Sequence, residues 1–86
     1  YKQELDEENF SIFARLREIR KQLALEDAVP AYAVCTDQEL ASMAKQKEIS
    51  ERTLKNVKGF GEKKMEKYGL KIVNRYHHEK NSEKDG

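Results

Sequence analysis

Between positions 10 and 28 the apolar side chains recur at helical spacing. Ile12, Phe13, Leu16, Ile19 and Leu23 share an arc of about a third of a turn, the width of a core-facing stripe. Asp6, Glu7 and Glu8 precede this run, where negative charge suits the positive end of a helix, and Asn9 is placed to cap it. The reading is a long first helix over Phe10–Ala28, closed by Val29-Pro30, because the residue before proline is pushed out of the α region. Ala31 to Cys35 then reads as extended chain.

Further on the apolar runs shorten and capping signals separate them. Thr36-Asp37-Gln38-Glu39 has the spacing of a capping box, in which each side chain satisfies the other residue's backbone N–H. Leu40, Met43 and Ala44 then give a second helix a short apolar face, broken by the polar segment Lys45 to Glu48. Ser50 is placed to cap a third, with Leu54 and Val57 facing inward and Gly59 as its stop. If Gly61 caps a fourth helix, Phe60 and Met65 have the spacing of a hydrophobic staple across its first turn. Met65, Tyr68, Ile72 and Tyr76 carry its apolar side towards His78. Gly69 interrupts it at a cost of about 1 kcal/mol relative to alanine, and close approach of another helix is the expected compensation. No strand alternation, internal repeat or early low-complexity segment is present. The fold class is therefore all-α.

Composition narrows the picture. With 86 residues one small domain is expected, burying about 60% of its unfolded surface, too little for a deep catalytic cavity. Net charge is only +1, yet residues 1–30 hold five basic and seven acidic groups, while residues 59–80 hold six and three. Positive charge concentrated late in the chain suits a few phosphate contacts and salt-sensitive binding. Cys35 is the only cysteine, so an intramolecular disulfide is impossible. The expected setting is intracellular, cytoplasmic or nucleoid-associated, with no membrane segment. A Tyr1 start and a polar end from Glu79 to Gly86 fit a domain cut from a longer polypeptide. The expected division is a linker over 1–8, a helical domain over 9–78 and a disordered polar tail over 79–86.

The candidate chemistry lies in Val57-Lys58-Gly59-Phe60-Gly61-Glu62-Lys63-Lys64. Gly59 and Gly61 allow positive φ and a tight reversal that leaves backbone N–H groups bare at a helix mouth, which attracts anions. Lys63 and Lys64 in the first turn oppose the helix dipole. A polyanion would supply the missing negative charge. The alternative is a glycine-softened link with solvated lysines. Arg17 and Lys21, four apart beside the first stripe, either face an anion or are a solvated pair near Glu18. His77 and His78 point to different faces of a helix and lack the further ligands of a tetrahedral zinc site. Cys35 reads as a packed thiol. No phosphate-binding glycine-lysine-serine loop, carboxylate pair or serine-histidine arrangement appears, so this stretch reads as non-catalytic.

Four ordered motifs, Phe13-Ala-Arg-Leu-Arg-Glu-Ile-Arg-Lys21, Val29-Pro-Ala-Tyr-Ala-Val34, Thr36-Asp-Gln-Glu-Leu40 and Val57-Lys-Gly-Phe-Gly-Glu-Lys-Lys-Met-Glu-Lys-Tyr-Gly69, together resemble the HRDC domain (helicase and RNase D C-terminal) over about residues 8–78. The resemblance implies a small orthogonal bundle of about five helices with a glycine turn akin to a helix-hairpin-helix. Such domains serve RecQ-type DNA helicases and RNase D as auxiliary nucleic-acid-binding modules. The Val-Pro-x-Tyr segment looks more like the helicase version, where an aromatic matching Tyr32 is implicated in single-stranded DNA binding. Ala31 departs from the family, in which many relatives have a second proline, and Ala33 and Cys35 stand where bulkier apolar residues are common.

The resemblance and the local chemistry together give the functional expectation. It is a monomeric auxiliary domain that weakly binds single-stranded or partly duplex DNA and aids substrate selection by the helicase core of the same polypeptide. Tyr32 would stack on a base, while Lys58, Lys63, Lys64, Arg17, Arg20 and Lys21 would meet phosphates around a turn shaped by Gly59 and Gly61. The hairpin and the Tyr32 ring are expected to share one continuous surface. No metal or nucleotide cofactor is implied for the domain, and ATP and magnesium belong to the parent's catalytic core. The alternatives are a protein-docking bundle within a helicase and an RNA-positioning domain of an RNase D-like exonuclease.

Overall fold

The stripe read from the first helix forms one wall of the core, and the shorter helices close over it. The computed structural model describes the backbone of residues 7–85 and the side chains of residues 7–78. Within that range every regular element is helical. They are α1 (Glu7–Asp27), α2 (Ala31–Val34), α3 (Asp37–Lys45), α4 (Glu51–Lys55) and α5 (Glu62–Lys64), which runs through a π-helical turn (Met65–Gly69) into α6 (Leu70–Asp85). Since α5, the π turn and α6 form one rod, the bundle has five helical pieces. Leu16, Ile19 and Leu23 of α1 meet Leu40 and Met43 of α3, Leu54 of α4 and Ile72 of α6, all fully buried. Burying such side chains contributes roughly 1.5–3 kcal/mol each, and this is what holds short helices that would not persist alone.

Local signals account for most of the boundaries. α1 starts earlier than Asn9 as cap, because Glu7 and Glu8 occupy its first turn and favour the positive end of its dipole; Asn9 is a buried residue inside the helix. Glu7 and Glu8 of the expected linker are thus helical, and residues 1–6 lie outside the described range. The helix ends at Asp27, with Ala28 in the left-handed region (φ 56°) and the Val29 N–H donating back to the Ala24 carbonyl at 3.0 Å. Ala31 to Val34 is a helical turn rather than extended chain, with the Ala33 N–H on the Pro30 carbonyl at 3.0 Å. Proline restricts the residue before it and leaves those after it free to turn. The backbone of α6 continues past His78 through Asp85, into the stretch read as a disordered tail. The side chains of that stretch lie outside the described range.

Two caps organise the middle of the chain. Thr36 and Glu39 form both halves of their box, the Glu39 N–H donating to Thr36 Oγ1 at 3.1 Å and the Thr36 N–H to Glu39 Oε1 at 2.8 Å. Ser50 caps α4 with Thr53 as the reciprocal partner. A Cβ at Gly69 would lie 2.5 Å from Met65 Sδ, so the glycine accommodates a thioether of its own rod, in the turn against which α4 packs.

Polar contacts fasten α6 to the end of α1. Arg75 grips Glu26 with two nitrogens at 2.7 and 2.8 Å. The Tyr68 hydroxyl donates to Asp27 Oδ2 at 2.6 Å. That bond is the main reason the Asp27 carboxyl lies below the usual range and the Tyr68 phenol above it. Burial holds the Cys35 thiol protonated, pushed up to about 12.

Gly59 sits at φ +94°, and a Cβ there would fall 2.7 Å from Glu39 Oε2, whereas a Cβ at Gly61 would meet nothing within 4 Å. Gly59→Ala is therefore expected to lose about 2 kcal/mol in chemical denaturation, from left-handed strain plus the clash, and Gly61→Ala within about 1 kcal/mol. A lowered Asp27 pKa adds stability that is present above the unfolded-state value and lost as pH falls through the folded one. A raised Tyr68 pKa adds stability present below about 10 and lost at higher pH. Urea melts from pH 7 down to pH 2.5 should show a shallower acid decline for Asp27→Asn than for the parent below about pH 4.

Candidate nucleic-acid interface

Tyr32 lies on α2, the single turn that Pro30 launches, and is 70% exposed. A core tyrosine would be covered; this ring has a free face for stacking. Beside α2, a groove of about 690 Å³ runs along α1, lined by Arg17, Arg20, Lys21, Leu25, Val29 and Ala31, with Glu18 as its one carboxylate. Arg17 and Lys21 are exposed and have no ion-pair partner among the described residues. The four-residue spacing that is mildly unfavourable in an isolated helix places both cations on this groove.

Arg20 lies on the same groove but is held from within. Its guanidinium donates to the Cys35 carbonyl at 3.1 Å and pairs with Asp37 at 2.8 Å, and the side chain is 11% exposed. It ties α1 to the junction between α2 and α3, a positioning task that the residue spacing did not reveal. Lys64 is similarly engaged. Its ammonium donates to Glu39 Oε1 at 3.1 Å, and the carboxylate side chain it meets is only 7% exposed. Lys58 and Lys63 are exposed.

The glycine turn is half as expected. Gly59 uses positive φ, while Gly61 is extended (φ −74°, ψ −179°) and is the N-cap of α5, without a side-chain cap. The Met65 N–H donates to the Gly61 carbonyl at 2.9 Å, and Phe60 is buried with Met65 partly buried beside it, the arrangement of a hydrophobic staple. Gly61 opens onto a second groove, whose rim carries Glu51, Glu62 and Glu66. Phe60 and Gly61 line this second groove, whereas Arg17 and Lys21 line the groove along α1 together with Ala31, the residue before Tyr32.

Leu25, 73% exposed on the first groove, was passed over in the sequence reading. The available signal was its position outside the stripe, next to buried Leu23 and Ala24. His77 is also more than a solvated helix end, with Nε2 2.6 Å from the Ile49 carbonyl. No cluster of three or more potential metal ligands occurs among the described residues, and no described helix is long and apolar enough to cross a membrane. The first groove offers cations that can meet phosphates and apolar side chains beside them, with the exposed Tyr32 ring on the adjoining α2.

Comparisons with known proteins agree with this architecture. The family model for the HRDC domain matches residues 9–75, from the first turn of α1 through the glycine turn into α6. The chain is 42% identical over 62 residues to a Bacillus subtilis (strain 168) protein named ATP-dependent DNA helicase RecQ, covering 72% of this chain and 10% of the relative. A protein of the same name from Haemophilus influenzae is 38% identical over 58 residues, 67% of this chain and 9% of the relative. The chain spans about a tenth of the length of these curated relatives. No solved structure gives a significant match. With its matched region covering the stripe of α1, the capping box of α3 and the glycine turn alike, the chain belongs to the HRDC domain family.

Proposed function

We propose that this chain is the auxiliary nucleic-acid-binding domain of a RecQ-type DNA helicase, binding single-stranded or partly duplex DNA weakly and helping the ATP-driven core to select its substrates. The observation that carries the reading is the exposed Tyr32 ring next to a groove on which Arg17 and Lys21 have no protein partner. The relatives' name supports the choice of DNA and of a helicase parent. In this reading Tyr32 stacks on a base, sequence-tolerant because every base has a π-face. Arg17 and Lys21 meet phosphates, with Lys58 and Lys63 as further cations near the glycine turn. Arg20 and Lys64 act through the positions of α3 and the turn. Gly59 shapes that turn, and Gly61 caps the helix that follows it. The domain needs no metal or nucleotide of its own; ATP and magnesium serve the helicase core, its partner in the same polypeptide. The setting is intracellular, and the domain works as a monomer.

Amide chemical-shift mapping with a short deoxythymidine oligonucleotide is expected to perturb residues around Tyr32 and along the Arg17–Lys21 side of α1. Tyr32→Ala should weaken binding by about 5- to 150-fold, from 1–3 kcal/mol of stacking; an unchanged affinity sinks the reading. Three or four phosphate contacts give a log K against log salt slope of about −2 to −3 on single strands, and Arg17→Gln or Lys21→Gln should each reduce its magnitude by about 0.7. Lys64→Gln, by contrast, should lower the melting temperature, because it strands the Glu39 carboxylate. Preference for an RNA of equal length in competition points instead to an RNA-positioning role.

A further inference from the structure

The second groove, bounded by Phe60 and Gly61 of the glycine turn, has a different character. About 740 Å³ in volume, it has an apolar floor of Phe60, Met65 and Leu70 with Gly61 at its mouth, and Glu51, Glu62 and Glu66 on its rim against Lys55 alone. Three carboxylates against one ammonium leave the rim at formal charge −2. None of these carboxylates has an ion-pair partner among the described residues. Leu70 is 50% exposed, although its neighbours Tyr68 and Ile72 are buried. Two residues from each of them along the rod, Leu70 faces away from that stripe and onto the groove wall, just past the π-helical turn at Met65–Gly69. Such single-turn bulges recur at functional sites. Gly69, with no Cβ, leaves the space that the Met65 thioether fills, so a flexible, polarisable side chain forms the floor.

We propose that this groove is a docking site for a basic amphipathic protein segment, one whose leucine-like anchors enter between Phe60, Met65 and Leu70 while flanking lysines or arginines meet Glu51, Glu62 and Glu66. Charge complementarity selects this occupant. A nucleic-acid strand is repelled by the same rim, and an acidic segment likewise. An uncharged apolar segment would leave the three carboxylates without partners at the edge of the contact, where opposite charges raise association rate and specificity. The helix-in-groove mode suits anchors spaced three and four residues apart. The site shares no lining residue with the groove along α1 beside α2, so the two can be occupied at once. The inference stands independently of the DNA-binding reading.

The test uses the 86-residue chain and three synthetic amphipathic peptides. One is built of leucine and lysine, a second has glutamate in place of lysine, and a third keeps the lysines with serine in place of leucine. Amide shifts on titrating the leucine–lysine peptide are expected at Gly61, Met65 and Leu70, with neither control peptide producing them. Glu51→Gln, Glu62→Gln and Glu66→Gln together should weaken this binding about ten-fold, and Leu70→Ser, at an exposed position, by a similar factor. Oligonucleotide affinity should stay within two-fold of the parent in both variants. Equal binding of the serine–lysine peptide overturns the proposal, as do shifts confined to the Tyr32 groove, insensitivity to both variants, or self-association of the chain that uses its own Arg17–Lys21 face as the occupant.

Discussion

A carboxylate taken out of water has to be met by donors, and in this fold the Glu39 carboxylate is the point where three separate segments are made to agree. Its Oε1 accepts from the Thr36 N–H and from the Lys64 ammonium, and its Oε2 lies against the bare α-carbon of Gly59. One side chain therefore sets the start of α3, the placement of the glycine turn and the first turn of the long C-terminal rod. Opening this arrangement by removing a single partner is costly, because the charge would remain buried and unpaired. The glycine is needed here for its backbone angle and for the space, whereas Gly61 is needed for neither.

The same junction connects to α1 through Arg20, which closes over the Cys35 carbonyl and Asp37. Two cations that resemble ligand contacts in the sequence are in this way part of the frame. Arg17 and Lys21, which line the groove next to α2, have no ion-pair partner among the described residues. A rigid junction beneath a short helix suits stacking on a base, since a ring held on an ordered turn loses little further freedom on contact. Function in the proposed reading thus depends on a few exposed groups whose positions are set by buried ones.

The two grooves divide the surface by charge. The α1–α2 side pairs a ring with basic groups, and the side of the π turn pairs an apolar floor with carboxylates. A net charge of +1 conceals this separation, because the opposing patches cancel in the sum. In the proposed reading one face engages a polyanion while the other remains open to a protein segment.

Elements whose signals are local were legible along the chain. The stripe from Ile12 to Leu23, the Thr36–Glu39 box, the Ser50 cap and the Phe60–Met65 staple each arise from residues a turn or two apart, and each stands where its spacing placed it. What lay beyond reach were relations between distant residues. Arg20 on Cys35 and Lys64 on Glu39 join positions 15 and 25 residues apart, and one-dimensional spacing carries no information on which charges will meet. The π turn belongs with these. Helical periodicity counts 3.6 residues per turn, and only packing of the rod against α1 and α4, with Met65 filling the gap at Gly69, decides that one turn takes an extra residue. Chain order alone therefore determined the family and the helices other than the turn after Pro30; the choice between a cation that holds the fold and one left for a ligand was made by tertiary contact, because a charge is committed only when a partner comes within reach.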